Sequence, residues 1–295
     1  MMLFYKIMHF IAGSGPGIYL AEFVTWCITS FYFFMPRPQV KWSMAFYQAL
    51  FPGRSRLYYL LCAWRQFHHF STSFTDRLIV ENKGDIVCES IGIEHIYNFS
   101  ENGRRGILLM SHVGNWELAA RKLAGYGINV ALFVGSKQAQ KIESQMKKEM
   151  LDKGLSIISV DENEDSPLNV LQALNFVRNT GFISITGDRL WSPRQKAIEL
   201  DFLGGLARIP HSPFALAYAL KVPMFVFFII RTGRAKYRIE YNPPIVMDTT
   251  ERTEKETVIR QAAGKYLLML EDIIRKHPEH WYCFEPFIFP KRDNV

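Results

Sequence analysis

The sequence predicts an α/β protein, a mixed and mainly parallel sheet flanked by helices, with a distinct helical region ahead of it. Two observations carry the α/β part. Beyond residue 80 short apolar runs alternate with amphipathic stretches, and several of those stretches open with helix-start residues. A third observation sets the first 80 residues apart: aromatic and cationic side chains crowd together there with almost no acids. The 295 residues are 48% hydrophobic and 21% charged, enough apolar material for one large core or two modest ones, which excludes a disordered or low-complexity chain.

Residues 1–80 hold seven basic side chains (Lys6, Arg37, Lys41, Arg54, Arg56, Arg65, Arg77) against Glu22 and Asp76, together with 20 of the 42 aromatic residues. They supply most of the net charge of +7, a surplus suited to an anionic partner such as phospholipid headgroups or an acidic carrier protein. Rings that enter an acyl boundary beside cations that meet phosphates make a membrane-interface surface, so residues 1–80 are read as a membrane-associating region. A helical subdomain with an aromatic core is the alternative. Residues 18–35 form an apolar stretch interrupted by Glu22, marginal for a span that needs about 20 apolar residues, and are read as peripheral or shallowly inserted, with a single span as the minority option. No processed signal peptide is expected. Cys27, Cys62, Cys88 and Cys283 show neither disulfide nor zinc spacing, so a reducing compartment is the default.

Residues 81–295 read as the α/β domain. Residues 106–110 are a continuous apolar run fit for a buried strand, and residues 112–125 form a loop feeding a helix that stops at glycine. Strands follow at 129–134, 156–160 and 182–186, with a charged helix at 137–153 between the first two. Ser166-Pro167 and Ser212-Pro213 each place a capping serine before a proline at the first helical position. Residues 223–230 are a central strand, 236–241 alternate like a half-exposed antiparallel partner, and a last helix over 251–276 ends before Pro278. The acidic run 161–165 is read as a solvated loop with favourable helix-dipole charge rather than a metal site.

The sharpest chemical feature is Ser111-His112-Val113-Gly114-Asn115-Trp116-Glu117, a histidine leaving a buried strand with a carboxylate five residues on. Reactive groups collect at the carboxyl ends of strands in α/β sheets. On one continuous helix five residues turn through about 140°, so the two side chains share a face only if His112 sits in the turn before the helix, which Gly114 permits. A carboxylate bonded to one imidazole nitrogen fixes the tautomer and leaves the other nitrogen free as a base.

This His112-x-x-x-x-Glu117 pattern after an apolar strand resembles the glycerolipid acyltransferase superfamily, and specifically the lipid A biosynthesis acyltransferase family. The resemblance continues through Gly187-Asp188-Arg189, the 201–207 segment with Pro210, residues 214–217, Val222-Pro223, and His277-Pro278-Glu279-His280-Trp281. It implies transfer of an acyl group from acyl carrier protein or acyl-CoA to a hydroxyl or amine of a lipid acceptor, at the cytoplasmic face of the bacterial inner membrane. It also implies His112 as general base and Glu117 as its orienting partner. Asn115, Asp188, Arg189, Gly204, Gly205 and Arg208 are the expected substrate-binding residues, with Arg189 or Arg208 suited to a phosphate or the developing oxyanion. Gly204 and Gly205 permit close backbone approach to a ligand, and a simple glycine turn suits one of them equally well. Two positions depart from the lipid A enzymes: Met150 stands where they carry arginine, and Asp188-Arg189 replaces their Asp-Gln. With Gly15-Pro16-Gly17, these bring the chain nearer the stand-alone relatives beside aryl polyene-type lipid pathways, which leaves the acceptor open and acyl transfer intact.

Two other classes compete. A thioesterase or lipid hydrolase would use the same His-Glu pair, and a metal-dependent form would add a ligand such as His211. A zinc site needs three protein ligands, though, and the chain also lacks a Gly-x-Ser-x-Gly elbow. A non-catalytic lipid-binding protein is the other reading. Nucleic acid is not expected as a partner, because the aromatics are helical rather than displayed on a sheet. The acyltransferase reading requires no metal and no bound organic cofactor.

Overall fold

The structure, a computed structural model, describes residues 2–13, 16–83, 86–135, 155–160, 167–179, 181–190, 195–248 and 254–291. The helix expected at 137–153, with Met150, and the acidic run 161–165 with Ser166 lie outside the described residues. Four helices come first: α1 (Met2–Gly13), α2 (Gly17–Phe34), α3 (Pro38–Leu50) and α4 (Arg56–Lys83). Then follow β1 (Val87–Ile91), α5 (Glu94–Glu101), β2 (Ile107–Met110), α6 (Trp116–Gly125), β3 (Val130–Gly135), β4 (Leu155–Val160), α7 (Pro167–Asn179) and β5 (Phe182–Thr186). The chain continues through β6 (Ala197–Phe202), β7 (Gly205–Pro210), α8 (Ser212–Leu220), β8 (Met224–Gly233), β9 (Lys236–Tyr241) and α9 (Lys255–Lys276). A 3-10 turn (Pro278–His280) and β10 (Ile288–Phe289) close it.

Among the described residues, seven strands form one sheet in the order β1-β9-β8-β2-β5-β3-β4, and every neighbouring pair is parallel except β8 with β9. β6, β7 and β10 make a separate antiparallel sheet. The apolar run of β2 is central, and its side chains divide between two cores. Ile107 and Leu109 join α7, α8 and α9 on one face, while Leu108 and Met110 join α5 and α6 on the other. Helices thus cover both faces of a mainly parallel sheet, which is why its strands read as unbroken apolar runs. The 3.6-residue pattern of α9 fits the same frame, with Val258, Ile259, Ala262, Ala263, Tyr266, Leu267, Leu270, Ile273 and Ile274 buried in one stripe.

The N-terminal helices build small cores of their own. Met8, Ala12, Ile18, Ala21 and Leu78 join α1, α2 and α4 in one; Phe33, Ala63 and Phe67 join α2 and α4 in another. They are also fastened to the sheet. Phe46, Tyr47 and Leu50 of α3 enter the main core. Asp76 of α4, 1% exposed, accepts two hydrogen bonds from Arg231 at 2.7 and 3.0 Å, one from the Tyr237 hydroxyl at 2.6 Å and one from the Ala235 amide at 3.1 Å. The carboxylate thereby pins α4 to the β8–β9 hairpin.

α2 packs along α4 with Ile18, Ala21, Thr25 and Phe33 buried, while Tyr19, Leu20, Phe23, Trp26, Phe31 and Phe34 face outward. Glu22, which interrupts this apolar helix, pairs with Arg234 at 2.8 Å.

Asp76→Asn leaves a buried guanidinium without its counter-charge. A loss of about 3–5 kcal/mol in unfolding free energy is expected by urea titration; a change under about 1 kcal/mol would mean that the hairpin holds α4 by apolar packing alone.

Candidate active site

β2 and β5 are adjacent and in register, Met110 opposite Thr186, and the ladder extends one step further through the Gly187 amide on the Met110 carbonyl at 2.8 Å. His112 and Asp188, each two residues beyond those partners, therefore leave the sheet side by side. Gly187 has no room for a side chain, since a Cβ there would meet the Tyr266 ring and Leu109 at 2.8 and 2.9 Å. Gly114, at φ +68°, turns the chain after His112, and a Cβ at that position would lie 1.8 Å from the Ile229 carbonyl oxygen.

The Asp188 carboxylate is fully buried and accepts three hydrogen bonds. His112 gives its backbone amide to Oδ2 and its Nδ1 to Oδ1, both at 2.8 Å, and the Trp281 indole Nε1 donates to Oδ2 at 2.9 Å. The segment carrying Trp281 also clamps the His112 backbone: the His112 carbonyl accepts from the Tyr282 amide at 2.7 Å, and the Gly114 amide donates to the His280 carbonyl at 2.8 Å. From below, buried Gln66 of α4 donates its Nε2 to the Trp281 carbonyl at 2.6 Å and accepts from the Ser43 hydroxyl.

Burial by itself raises the Asp188 carboxyl, but the facing His112 and the hydrogen bonds from His112 and Trp281 outweigh it, so the group sits below the usual carboxylate value and stays ionised. An ionised carboxylate only accepts. Nδ1 therefore carries the proton, and Nε2 of the neutral ring presents a lone pair. The His112 side chain is 22% exposed, whereas Asp188 is sealed. The arrangement is a solvent-reachable imidazole backed by a buried carboxylate.

The sequence assigned the imidazole's partner to Glu117. In the structure Asp188 makes the Nδ1 contact; Glu117 lies in the first turn of α6, and its side chain is outside those described. Asn115 sits in the same loop, its carbonyl accepting from the Leu118 amide at the start of α6. Asp188 and Arg189 do not pair with each other. The Arg189 Nε lies 3.4 Å from Glu285 but is buried without a hydrogen-bond acceptor. Arg208 lies on β7, paired with Glu199 at 3.4 Å and over the Phe289 ring. Leu203 and Gly204, both at positive φ, form the two-residue turn joining β6 to β7, while Gly205 clears the way for β10, since a Cβ there would meet the Phe289 carbonyl at 2.6 Å. The hairpin turn accounts for Gly204 and the close approach of β10 for Gly205.

Trp281 had been seen only as part of a recurring motif, and Gln66 and Asp76 had not been singled out. A glutamine and a lone acid within a basic, aromatic helix were the available signals. His211 contacts Glu256 and Lys196 rather than the His112 loop. Cys283 is buried near Asp188, and burial pushes its thiol up. Among the described residues, no three His, Cys, Asp or Glu side chains gather as a metal ion would require.

The strand-end histidine and its buried carboxylate lie within an α/β fold of mainly parallel strands. The family model for bacterial lipid A biosynthesis acyltransferases matches residues 71–287, from within α4 almost to β10, and the chain belongs to that family. It is an acyltransferase, acting between an acyl donor and a lipid acceptor. No curated protein matches the chain significantly.

His69, its ring tilted against that of His280 with centroids 4.0 Å apart and bonded to the Tyr282 hydroxyl, reports on the clamp. Burial first, then His280, pushes it down to about 3, with Arg231 adding to the effect and Glu279 and Asp76 opposing it. The unfolded chain takes up that proton near pH 6.5 and the native chain does not, so stability falls as pH drops from about 6.5, by up to about 1.4 kcal/mol per unit. Urea unfolding at pH 7, 6 and 5 checks this. His69→Gln flattens the dependence, and an unchanged slope in that variant would locate the proton uptake elsewhere.

Proposed function

We propose that the protein moves an acyl chain from a thioester of acyl carrier protein or coenzyme A to a hydroxyl or amine of a lipid, with His112 as general base and Asp188 as the group that holds its imidazole. The observation that carries this is the 2.8 Å contact between buried Asp188 and His112 Nδ1 at adjacent strand ends. Nε2 takes the proton of the acceptor hydroxyl or amine as its oxygen or nitrogen attacks the thioester carbonyl. The tetrahedral oxyanion then collapses, the carbon–sulfur bond breaks, and the departing thiolate takes the proton back from Nε2. No acyl-enzyme forms.

Arg189, next to Asp188 and with a buried Nε lacking an acceptor, is suited to the oxyanion or to the phosphate of the donor's carrier arm. Arg208, whose Nε is likewise buried without an acceptor beside Glu199, is the second candidate for that role. Asn115, Gly204 and Gly205 are retained only as edges of the substrate path. Glu117, in the first turn of α6, remains the alternative orienting acid. The Asp188-Arg189 pair supports kinship with the aryl polyene-associated relatives and an acceptor other than lipid A.

In this reading the helical region, placed at residues 1–80 by the sequence, is the membrane-associating part, although α4 itself runs on to Lys83. α2 has 18 residues and a mean hydropathy of 1.3, one face held against the protein and the other an apolar, aromatic stripe. Arg37 over the Tyr32 ring, Arg54 over Tyr58 and Arg234 over Tyr19 set cations beside rings. A helix gripped along its side lies in the interface plane more readily than it crosses it. A thioester donor made in the cytosol, together with four free cysteines, supports the cytoplasmic face of the inner membrane.

His112→Ala abolishes thioester-dependent acylation of a host lipid extract, read by mass spectrometry, with folding unchanged. Asp188→Asn lowers kcat about 10²- to 10⁴-fold. Full turnover in His112→Ala, or an intact Asp188→Asn beside a dead Glu117→Gln, would overturn the respective assignment, and release of free fatty acid alone would mark a thioesterase. Phe23→Ser with Phe31→Ser is expected to release the protein from sedimenting vesicles while leaving its melting temperature within a few degrees; retention on the vesicles would remove α2 as the contact surface.

A further inference from the structure

A cavity of about 740 Å³ opens between α2, α4, the β8–β9 turn and the Pro278–His280 turn, on the far side of the clamp from Asp188. The mechanism uses none of its lining. Arg231 in its wall is neutralised by Asp76. Four other charges remain: Arg65 and Arg234 against Glu22 and Glu279.

Arg234 is short of acceptors. Glu22 Oε1 lies 2.8 Å from its Nε but off the N–H direction, so both Nε and Nη2 are buried without a hydrogen-bond acceptor, and the guanidinium rests on the Tyr19 ring at 4.4 Å. Arg65 is exposed, with no acid paired to it among the described residues. Two guanidiniums with N–H groups to spare suit a phosphate, whose oxygens they chelate.

The opposite chemistry lies beside them. His280 first, then other neighbours, hold Glu279 down to about 2 against its burial, so it stays anionic. Trp26, Trp64 and His68 form a ring cluster with centroids 4.1 to 6.0 Å apart. Thr25 and Thr72 spend their hydroxyl protons on their own helix carbonyls, which leaves oxygen lone pairs toward the cavity. Carboxylates, lone pairs and aromatic faces suit an ammonium. The charge balance argues against a purely anionic ligand. Trp26, half exposed on the outward stripe of α2, sets the cavity mouth at the surface assigned to the membrane.

We propose that this cavity is a subsite for a zwitterionic lipid headgroup bearing both a phosphate and an ammonium, as in phosphoethanolamine, with Arg234 and Arg65 on the phosphate and Glu22, Glu279 and the Trp26–Trp64 rings on the ammonium. The assignment rests on the membrane-associating role of α2. The headgroup would lie against the turn whose next residue is Trp281, which ties Asp188 in place.

Titration of the full-length chain with glycerophosphoethanolamine and with inorganic phosphate, followed by calorimetry and tryptophan fluorescence, tests it beside sedimentation with phosphatidylethanolamine-containing and phosphatidylglycerol vesicles. Glycerophosphoethanolamine is expected to bind at least about tenfold more tightly than phosphate, and Arg65→Gln and Glu22→Gln each to weaken it about tenfold or more. Arg65→Gln, at an exposed position, should leave the melting temperature unchanged. Equal binding of phosphate overturns the ammonium half, and unchanged affinity in both variants overturns the location. Vesicle binding without any headgroup binding overturns the subsite and leaves the membrane reading standing. If neither vesicles nor headgroup bind, both fall.

Discussion

The site depends on one buried negative charge. A carboxylate sealed from water cannot stay ionised without strong donors around it, and the three that meet Asp188 come from two different parts of the chain. Each donor is positioned for its own reason. The His112 amide and imidazole arrive by the pairing of β2 with β5, and the Trp281 indole arrives because Val113 bridges Trp281 and Gln66 holds the Trp281 carbonyl. Take away any of these and the carboxylate drifts toward its neutral form, which no longer dictates the tautomer of His112.

The same logic governs how the helices meet the sheet. An apolar helix on an apolar surface slides and rolls at little cost, but a buried carboxylate with four donors has a single seat. Asp76 gives α4 that seat on the β8–β9 hairpin, and Gln66, about three turns earlier, gives it a second on the C-terminal segment. Two polar fixings on one long helix set both its position along the sheet and its rotation. That leaves the outward stripe of α2, which packs on α4, facing in one direction relative to His112.

Much of the sheet was legible from local pattern. The runs at 106–110, 182–186 and 223–230 are apolar because central parallel strands are covered on both faces, and the strands lie within a few residues of those positions. The helix expected at Ser212-Pro213 begins there, but His211 rather than Ser212 takes the N-cap position and no side-chain cap bond is made. His112 was legible because the residue after a buried strand is a privileged place. Its partner was not, because a sequence states which residues follow one another and is silent on which strands lie together. Glu117 is five residues away along the chain; Asp188 is seventy-six away and adjacent in space, and only the strand order makes it so. Trp281 was hidden for the same reason. Gly204 serves a tight turn and Gly205 a close strand neighbour, and both demands leave behind the same residue that a close-approaching substrate would.

The fixings of α4 also order events during synthesis. The partners of Asp76 and Gln66 lie 155 and 215 residues further along the chain. At roughly 5–20 residues per second, the first helices wait on the order of 10–40 s before their anchors leave the ribosome. Throughout that interval the helices lack the two polar fixings that set their place on the sheet. The indole that secures Asp188 is added 93 residues after that carboxylate, so the nascent chain exposes its apolar helices well before the groups around His112 are tied together.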